Sequence, residues 1–376
     1  MRVVNSLEEG FPMKIAQIAP LSESCPPQLY GGTERIVSYL TEELVGQGHD
    51  VTLFATGDSR TGAELVACAE VGLRLDRNVQ DPLPHHILML EQVRQRAHEF
   101  DVIHFHIHIL QFPIIHQFAG KTLTTLHGRL DLPELIPFYS AFPNVPLSSI
   151  SYDQRKPLPD NVNWAGNTYH GLPQDLLSFS PQPKGGYLAF LGRISPEKRP
   201  DRAIEIAART GLALKIAAKV DKVDQAYWDE KIEPMIRAHA NVEYIGEIAE
   251  HQKARFLGDA LALLFPIGWP EPFGLVMIES MACGTPVVAF RCGSVPEVID
   301  NGVSGFAVNS VEEAVSAVSR LSEIDRAAVR AAFENRFTVE RMARDYLKIY
   351  AALPGVRRGS EIRTVNGAEI AFSLPM

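Results

Sequence analysis

The stretch EPFGLVMIES places two carboxylates, Glu271 and Glu279, eight positions apart around a Pro-Phe-Gly turn that opens an apolar helix. The first amides of a helix lack an internal acceptor and carry the positive end of its dipole, so this helix mouth suits an anion. Pro272 fits a helix entrance because it has no N–H to leave unpaired, and Gly274 lets the backbone approach a ligand. The amides of Phe273, Gly274 and Leu275 would then form an anion site with an acid on either side; an ordinary helix cap would use the same residues. Two more segments share this character. In GRISPEKRP, 192–200, Arg193 and Lys198 follow an apolar strand in a strand-to-helix loop, offering a planar fork and a point charge to phosphate. The plainer reading is a solvated loop with a Lys/Glu pair. In LYGGTERIV, 29–37, Gly31 and Gly32 lie between a strand and a helix, where backbone can approach a phosphate. The spacing is not Gly-x-Gly-x-x-Gly, which disfavours hydride transfer with a nicotinamide cofactor.

Histidines form the other group. His127 ends the strand-like LTTLH and should point into a cleft, although a histidine at a strand end can also be purely structural. His104, His106 and His108 alternate in HFHIH, so a strand would put all three on one face, a spacing able to chelate zinc or copper. No carboxylate or thiol completes such a set, and the expectation is no metal. The paired glutamates also admit glycosidic hydrolysis, which needs carboxyl groups roughly 5–9.5 Å apart. One acid in a loop and the other two turns into a helix should stand about 12 Å apart along the axis, which disfavours it.

The elements that must position these residues are strands alternating with helices. KIAQIAP, DVTLFAT, DVIHFHI and KTLTTLH read as strands of one unit; YLAFLGRI, ALKIAAKV, NVEYIGEI, LALLFP, TPVVAF and SGFAV read as strands of a second. Ile36, Leu40 and Leu44 recur every four positions in a helix that Gly48 stops, and further helices are expected near 200–209 and 225–239. The fold class is therefore α/β: two Rossmann-like, doubly wound parallel-sheet domains, 13–183 and 184–340, joined near residue 184 and facing a cleft. A C-terminal helix, 341–353, follows the second unit, and the tail 354–376, without helical or strand period, is expected to be weakly ordered. Met13 is a candidate start, since MRVVNSLEEGFP precedes the first strand without an apolar leader run.

The 376 residues carry a net charge of −9, unevenly: 12 basic and 20 acidic side chains in 1–180, then 24 and 25. An acidic first half disfavours nucleic acid and anionic lipid as partners. No apolar run reaches the roughly 18 residues of a membrane span. Four scattered cysteines without a Cys-x-x-Cys pair point to reduced thiols, no structural zinc and a cytoplasmic location.

Together GGTER, TTLHGR, GRISPEK, EPFGLVMIESMACGTPVVA and GSVPEVI resemble the retaining glycosyltransferases of family 4, of GT-B fold, over roughly 13–350. The resemblance implies transfer of a sugar from a nucleotide-diphosphate sugar, most often a UDP-sugar, to an acceptor hydroxyl, without metal or cofactor. It implies Glu279 at the ribose, Glu271 at the donor sugar, Arg193 and Lys198 at the diphosphate, and Gly31 and Gly32 approaching from the first domain. By the same resemblance His127 lies beside the reacting sugar, with His104 and His106 on the acceptor side, and the helix 341–353 crosses back to the first domain. No Asp-x-Asp motif is present, and two cations with a helix end can take a metal's place. Phosphorylase, nucleotide-sugar epimerase and non-catalytic sugar-nucleotide binding are the alternatives on the same fold. Acceptor loops 56–90 and 128–165 match no acceptor class, and SYDQRKPLP and GNTYHGLP depart from the family's usual turn there.

Overall fold

Runs such as KIAQI and YLAFLGRI can be buried on both faces only in a parallel sheet covered by helices. Two such sheets form in the computed structural model, which describes residues 12–28 and 31–356. The first contains β1 (Lys14–Ile18), β2 (Asp50–Thr56), β3 (Glu64–Ala69), β4 (Val102–Phe105), β5 (Thr122–Thr125), β6 (Leu147–Ser149) and β7 (Trp164–Asn167), ordered β3-β2-β1-β4-β5-β6-β7. The second contains β8 (Tyr187–Ile194), β9 (Ala213–Val220), β10 (Val242–Gly246), β11 (Ala262–Phe265), β12 (Val287–Phe290) and β13 (Gly305–Val308), ordered β10-β9-β8-β11-β12-β13. All neighbouring strands run parallel. In each sheet the order reverses at the first strand, β1 or β8, and the crevice beyond the carboxyl ends at such a reversal is where open α/β sheets bind ligands.

Around the first sheet lie α1 (Gly32–Gly46), α2 (Leu83–Arg96) and α3 (Leu135–Ala141); around the second, α4 (Pro200–Thr210), α5 (Gln225–Tyr227), α6 (Glu233–Ala238), α7 (Glu250–Gly258), α8 (Leu275–Ala282), α9 (Val295–Val298), α10 (Val311–Ser319) and α11 (Arg326–Arg336). The single helix expected over 225–239 is α5 and α6 joined by a π turn, Trp228–Ile232. Ile36, Leu40 and Leu44 form the buried stripe of α1, and Gly48 follows it at φ 87°.

The last helix, α12 (Val339–Ala352), buries Val339, Met342, Ala343, Tyr346, Ile349 and Tyr350 against Ile15, Ile36, Leu40 and Leu44 of the first unit. Thr338 caps it by accepting from the Arg341 amide at 3.4 Å. Burying each large side chain of this stripe contributes about 1.5–3 kcal/mol, so α12 is fixed to the first unit. A Cβ at Gly166 would run into Ile349, and one at Gly171 into the Thr338 carbonyl; the return path needs glycine at both. Gly355, inside the stretch expected to lack order, donates its N–H to Gly120 at 2.8 Å. The remainder of that stretch and the residues before Pro12 lie outside the described residues.

Candidate active site

Glu271 sits in the loop after β11, and its neighbours in sequence are clamped from both units. Ser294 N donates to Glu271 O at 3.0 Å, Ser294 Oγ to Phe273 O at 2.7 Å, and Ser151 Oγ of the first unit to Pro272 O at 2.6 Å. Gly293, at φ 56°, lets the next loop lie directly on Glu271; a Cβ there would collide with its backbone N and O. The helix begins directly after the Pro-Phe-Gly turn, as expected, three residues beyond Pro272. Gly274 is the N-cap, at φ 79°, and Leu275 the first helical residue, so proline stands before the cap. A Cβ at Gly274 would meet Phe265 and Met277 at 2.9 Å, so the turn itself requires glycine.

The Glu271 carboxylate accepts from Trp269 Nε1 at 2.9 Å and pairs closely with Lys198, whose ammonium lies 5.6 Å from the Trp269 ring centre and 5.7 Å from that of Phe265. Arg193 is not a loop residue: it is the penultimate residue of β8, in register with Lys219 of β9. Its guanidinium is loosely held, 3.6 Å from Asp224 and 3.8 Å from Asp221, and its buried Nε has no hydrogen-bond partner. Glu279 is buried on α8 and accepts from Lys253 of α7 at 2.7 Å. Lys253 also pairs with Glu250 at 3.1 Å, and Glu250 with Arg35 of α1 at 2.8 Å, so an ion chain crosses from one unit to the other. Burial lowers the Lys253 pKa, but Glu279 and Glu250 outweigh it and hold the ammonium above its ordinary value.

From the first unit comes the N-terminus of α1. Gly31 is its N-cap, and a Cβ there would lie 2.8 Å from Pro27; at Gly32 a Cβ would have only Leu275 Cδ1 near it, at 3.6 Å. The amino ends of α1 and α8 therefore meet. His127, at the end of β5, is half-buried and stacks on His170 at 5.2 Å, which packs edge-on to Phe273 at 5.0 Å. Burial pushes the His127 pKa down to about 3, so its imidazole is neutral near pH 7. Its Nε2 lies 2.9 Å from His106 Nδ1, while its own buried Nδ1 has no partner.

A cavity of about 490 Å³ opens beside His127 and is lined by His86, His106, His108, Arg129 and Leu132 among others. His104 does not line it, contrary to expectation. That residue is one strand step deeper than His106, fully buried beneath Tyr346 and Tyr350 of α12, with both nitrogens bonded. The alternating trio does not form one face either: β4 ends at Phe105, and His108 leaves to pack edge-on to Tyr139 at 6.5 Å. Both nitrogens of His106 are engaged as well, and among the described residues no His, Cys, Asp or Glu cluster suited to a metal forms.

The family description "Glycosyl transferases group 1" matches residues 175–336, and "Glycosyltransferase Family 4" matches 30–162. The chain belongs to the group 1, family 4 glycosyltransferases. It is 31% identical to the D-inositol 3-phosphate glycosyltransferase of Mycolicibacterium smegmatis over 39% of this chain and 32% of that one. It is 30% identical to an uncharacterized 41.2 kDa protein in the cps region of Klebsiella pneumoniae, over 43% and 45%. The chain thus spans less than half the length of these curated relatives. Among solved structures, AviGT4, a glycosyltransferase involved in avilamycin A biosynthesis, superposes at TM-score 0.68 with 22% identity, covering 91% of this chain and 98% of that one. Sucrose-phosphate synthase from Thermosynechococcus elongatus gives 0.74 at 19% identity, covering 91% and 99%. HepE of Anabaena in complex with UDP and glucose gives 0.69 at 18%, covering 91% and 100%. These likenesses establish the GT-B fold.

In this family 4 protein the two units bring Gly32, Leu275, Lys198 and Glu271 to one gap, with His127 joined to it through His170 and Phe273. Glu279 joins through the ion chain to Arg35. Several residues of the site had no motif to mark them: Trp269, His170, Lys253 and Glu250 become neighbours only in space. Gln17 carried a signal, being a lone amide inside the apolar strand KIAQI.

Proposed function

We propose that this protein is a retaining glycosyltransferase that moves a sugar from a nucleotide-diphosphate sugar, most often a UDP-sugar, to an acceptor hydroxyl without a metal ion. One observation carries the reading: the amino ends of α1 and α8 meet, with Lys198 at the carboxyl edge of the second sheet. Two helix amino ends and a lysine form a site for a diphosphate. The complex of HepE with UDP and glucose, on the same fold, supports the donor class.

In this reading the donor lies on the second unit. Glu279 takes the ribose hydroxyls in place of part of its bond to Lys253. Glu271, held by Trp269 and Lys198, accepts from a hydroxyl of the donor sugar. As the anomeric C–O bond breaks, charge grows on the diphosphate oxygen, where Lys198, Arg193 and the amides of 273–275 stabilise it. Fixed charge placed where charge develops is commonly the largest catalytic contribution, about 3–4 kcal/mol per donor. Front-face attack by the acceptor within a tight ion pair is the route to retention that the family resemblance implies, and Glu271, engaged by a lysine and an indole, is no obvious nucleophile against it. The acceptor enters the cavity beside His127. Arg129, in its lining, pairs with Asp131 at 2.7 and 2.9 Å, which favours a neutral entering group. The reduced cysteines support a cytoplasmic location, and no helix of the described residues is long and apolar enough to cross a membrane.

The test is a donor screen by thermal shift, since a ligand at 100 times its Kd stabilises by about 2.7 kcal/mol, followed by turnover of the double variant Arg193→Ala, Lys198→Ala. Turnover is expected to fall at least 100-fold, with neutral glycosides preferred over sugar phosphates as acceptors. Unchanged turnover in the double variant would reject the diphosphate site, and preference for phosphorylated acceptors would reject the neutral cavity.

A further inference from the structure

A continuous line of hydrogen-bonded side chains runs from His127 to the last helix. His127 Nε2 meets His106 Nδ1 at 2.9 Å, and His106 Nε2 meets Gln17 Oε1 at 2.7 Å. Gln17 Nε2 donates to the Tyr350 hydroxyl at 3.2 Å, which lies 2.7 Å from His104 Nδ1. His104 Nε2 meets Thr125 Oγ1 at 2.7 Å, and Thr125 donates to the Tyr346 hydroxyl at 3.1 Å. Burial holds His104 and His106 well below the ordinary histidine value and His127 near 3, so each ring carries a single N–H at neutral pH.

That single proton gives the line a direction. An amide oxygen only accepts, so His106 must carry its proton on Nε2 and leave Nδ1 as an acceptor. His127 must then donate from Nε2. On the other side Gln17 donates to Tyr350, Tyr350 to His104 Nδ1, and His104 Nε2 to Thr125. One amide orientation settles every member, and turning the Gln17 amide over would reverse the bonds on both sides of it.

We infer that Gln17 and Tyr350 are positioning residues which, through His106, hold His127 as the tautomer protonated on Nε2, leaving a bare lone pair on Nδ1. That Nδ1 is buried and has no partner in the protein. As an acceptor only, it can take a hydrogen bond from a ligand hydroxyl that reaches it and cannot donate one. Resting on the proposed sugar transfer, this makes His127 a reader of a hydroxyl proton: it orients a sugar O–H with its oxygen lone pairs turned away from the ring. The last helix takes part in that reading, since Tyr350 holds the amide that sets the direction.

The experiment is a long-range proton–nitrogen correlation spectrum of the full-length protein labelled with ¹⁵N-histidine, with His127 assigned by its loss in His127→Asn. The expected result is one neutral tautomer with the proton on Nε2. In Gln17→Met, and in Tyr350→Phe, which keeps the ring packing should the first variant not fold, a share of the Nδ1-protonated form is expected. A wild-type His127 protonated on Nδ1, or an unchanged tautomer in the folded variants, would overturn the inference. Alongside it, kcat is expected to fall about tenfold with the donor KM nearly unchanged, as for lost orientation in the transition state. Absence of any sugar transfer by the wild type would count against the proposed function and leave the tautomer result standing.

Discussion

The four histidines around the cleft are held neutral by their surroundings. Burial lowers His104, His106 and His170 far below 6.5, with neighbouring histidines adding to it, and burial lowers His127 to about 3. In the unfolded chain each takes up a proton near pH 6.5. Below that pH the unfolded state binds more protons than the folded state, so stability rises with pH through this window and is lost on acidification. The slope is up to about 1.4 kcal/mol per pH unit for each histidine. Urea midpoints should therefore be clearly lower at pH 5.5 than at pH 7.5; equal midpoints would mean that these rings are protonated in the folded protein. His127 and His106 were legible as candidates because they end strands. His104 was misplaced because alternation shows which face a residue occupies, and a helix from residues 339–352 decides whether that face is covered.

Among elements, the turn from β11 into α8 matters most, and its shape depends on another loop. Gly293 combines φ 56° with a backbone contact that leaves no room for a side chain. Gly293→Ala has to strain the backbone by about 1–2 kcal/mol and push the loop away from Glu271. The expected outcome is a modest drop in melting temperature with donor affinity weakened at least tenfold, read by calorimetric titration of a nucleotide-sugar. Unchanged affinity would show that Glu271 does not depend on this contact. The fully buried central strands were readable because each is a compact apolar run. β3 was not, because it is an edge strand only half-buried along its length. α2 was obscured as well: Leu83, Ile87 and Leu88 are exposed, which breaks the periodic stripe expected of a packed helix.

At the scale of the molecule, the units are joined by specific polar contacts beside the site. Arg35 reaches Glu250, Ser151 holds Pro272, and Glu297 of α9 accepts from the amides of Tyr152 and Asp153 at 2.8 and 2.7 Å. Arg129 lies 5.6 Å from the Trp269 ring centre across the same gap. Glu250→Gln removes the charge between Arg35 and Lys253, and partly exposed pairs of this kind contribute about 0.2–1 kcal/mol. A larger radius of gyration by X-ray scattering is expected, with donor affinity changed less than tenfold and made less sensitive to salt. A variant as compact as the wild type, with the wild-type salt response, would show that this ion chain does not hold the units together.

The linear order of residues determined the two α/β units, the parallel sheets and the segments that carry charge and glycine, because burial on both faces and helix starts are local properties of a chain. It also identified Glu271, Lys198 and His127 as residues suited to chemistry. Which groups meet was decided by tertiary structure alone: Lys198 against Glu271, Lys253 against Glu279, and Gln17 between His106 and Tyr350. These partners are 73, 26, 89 and 333 positions apart. No local pattern encodes such pairs, since they arise only when sheets, turns and the returning helix pack together and each buried polar group must find a partner.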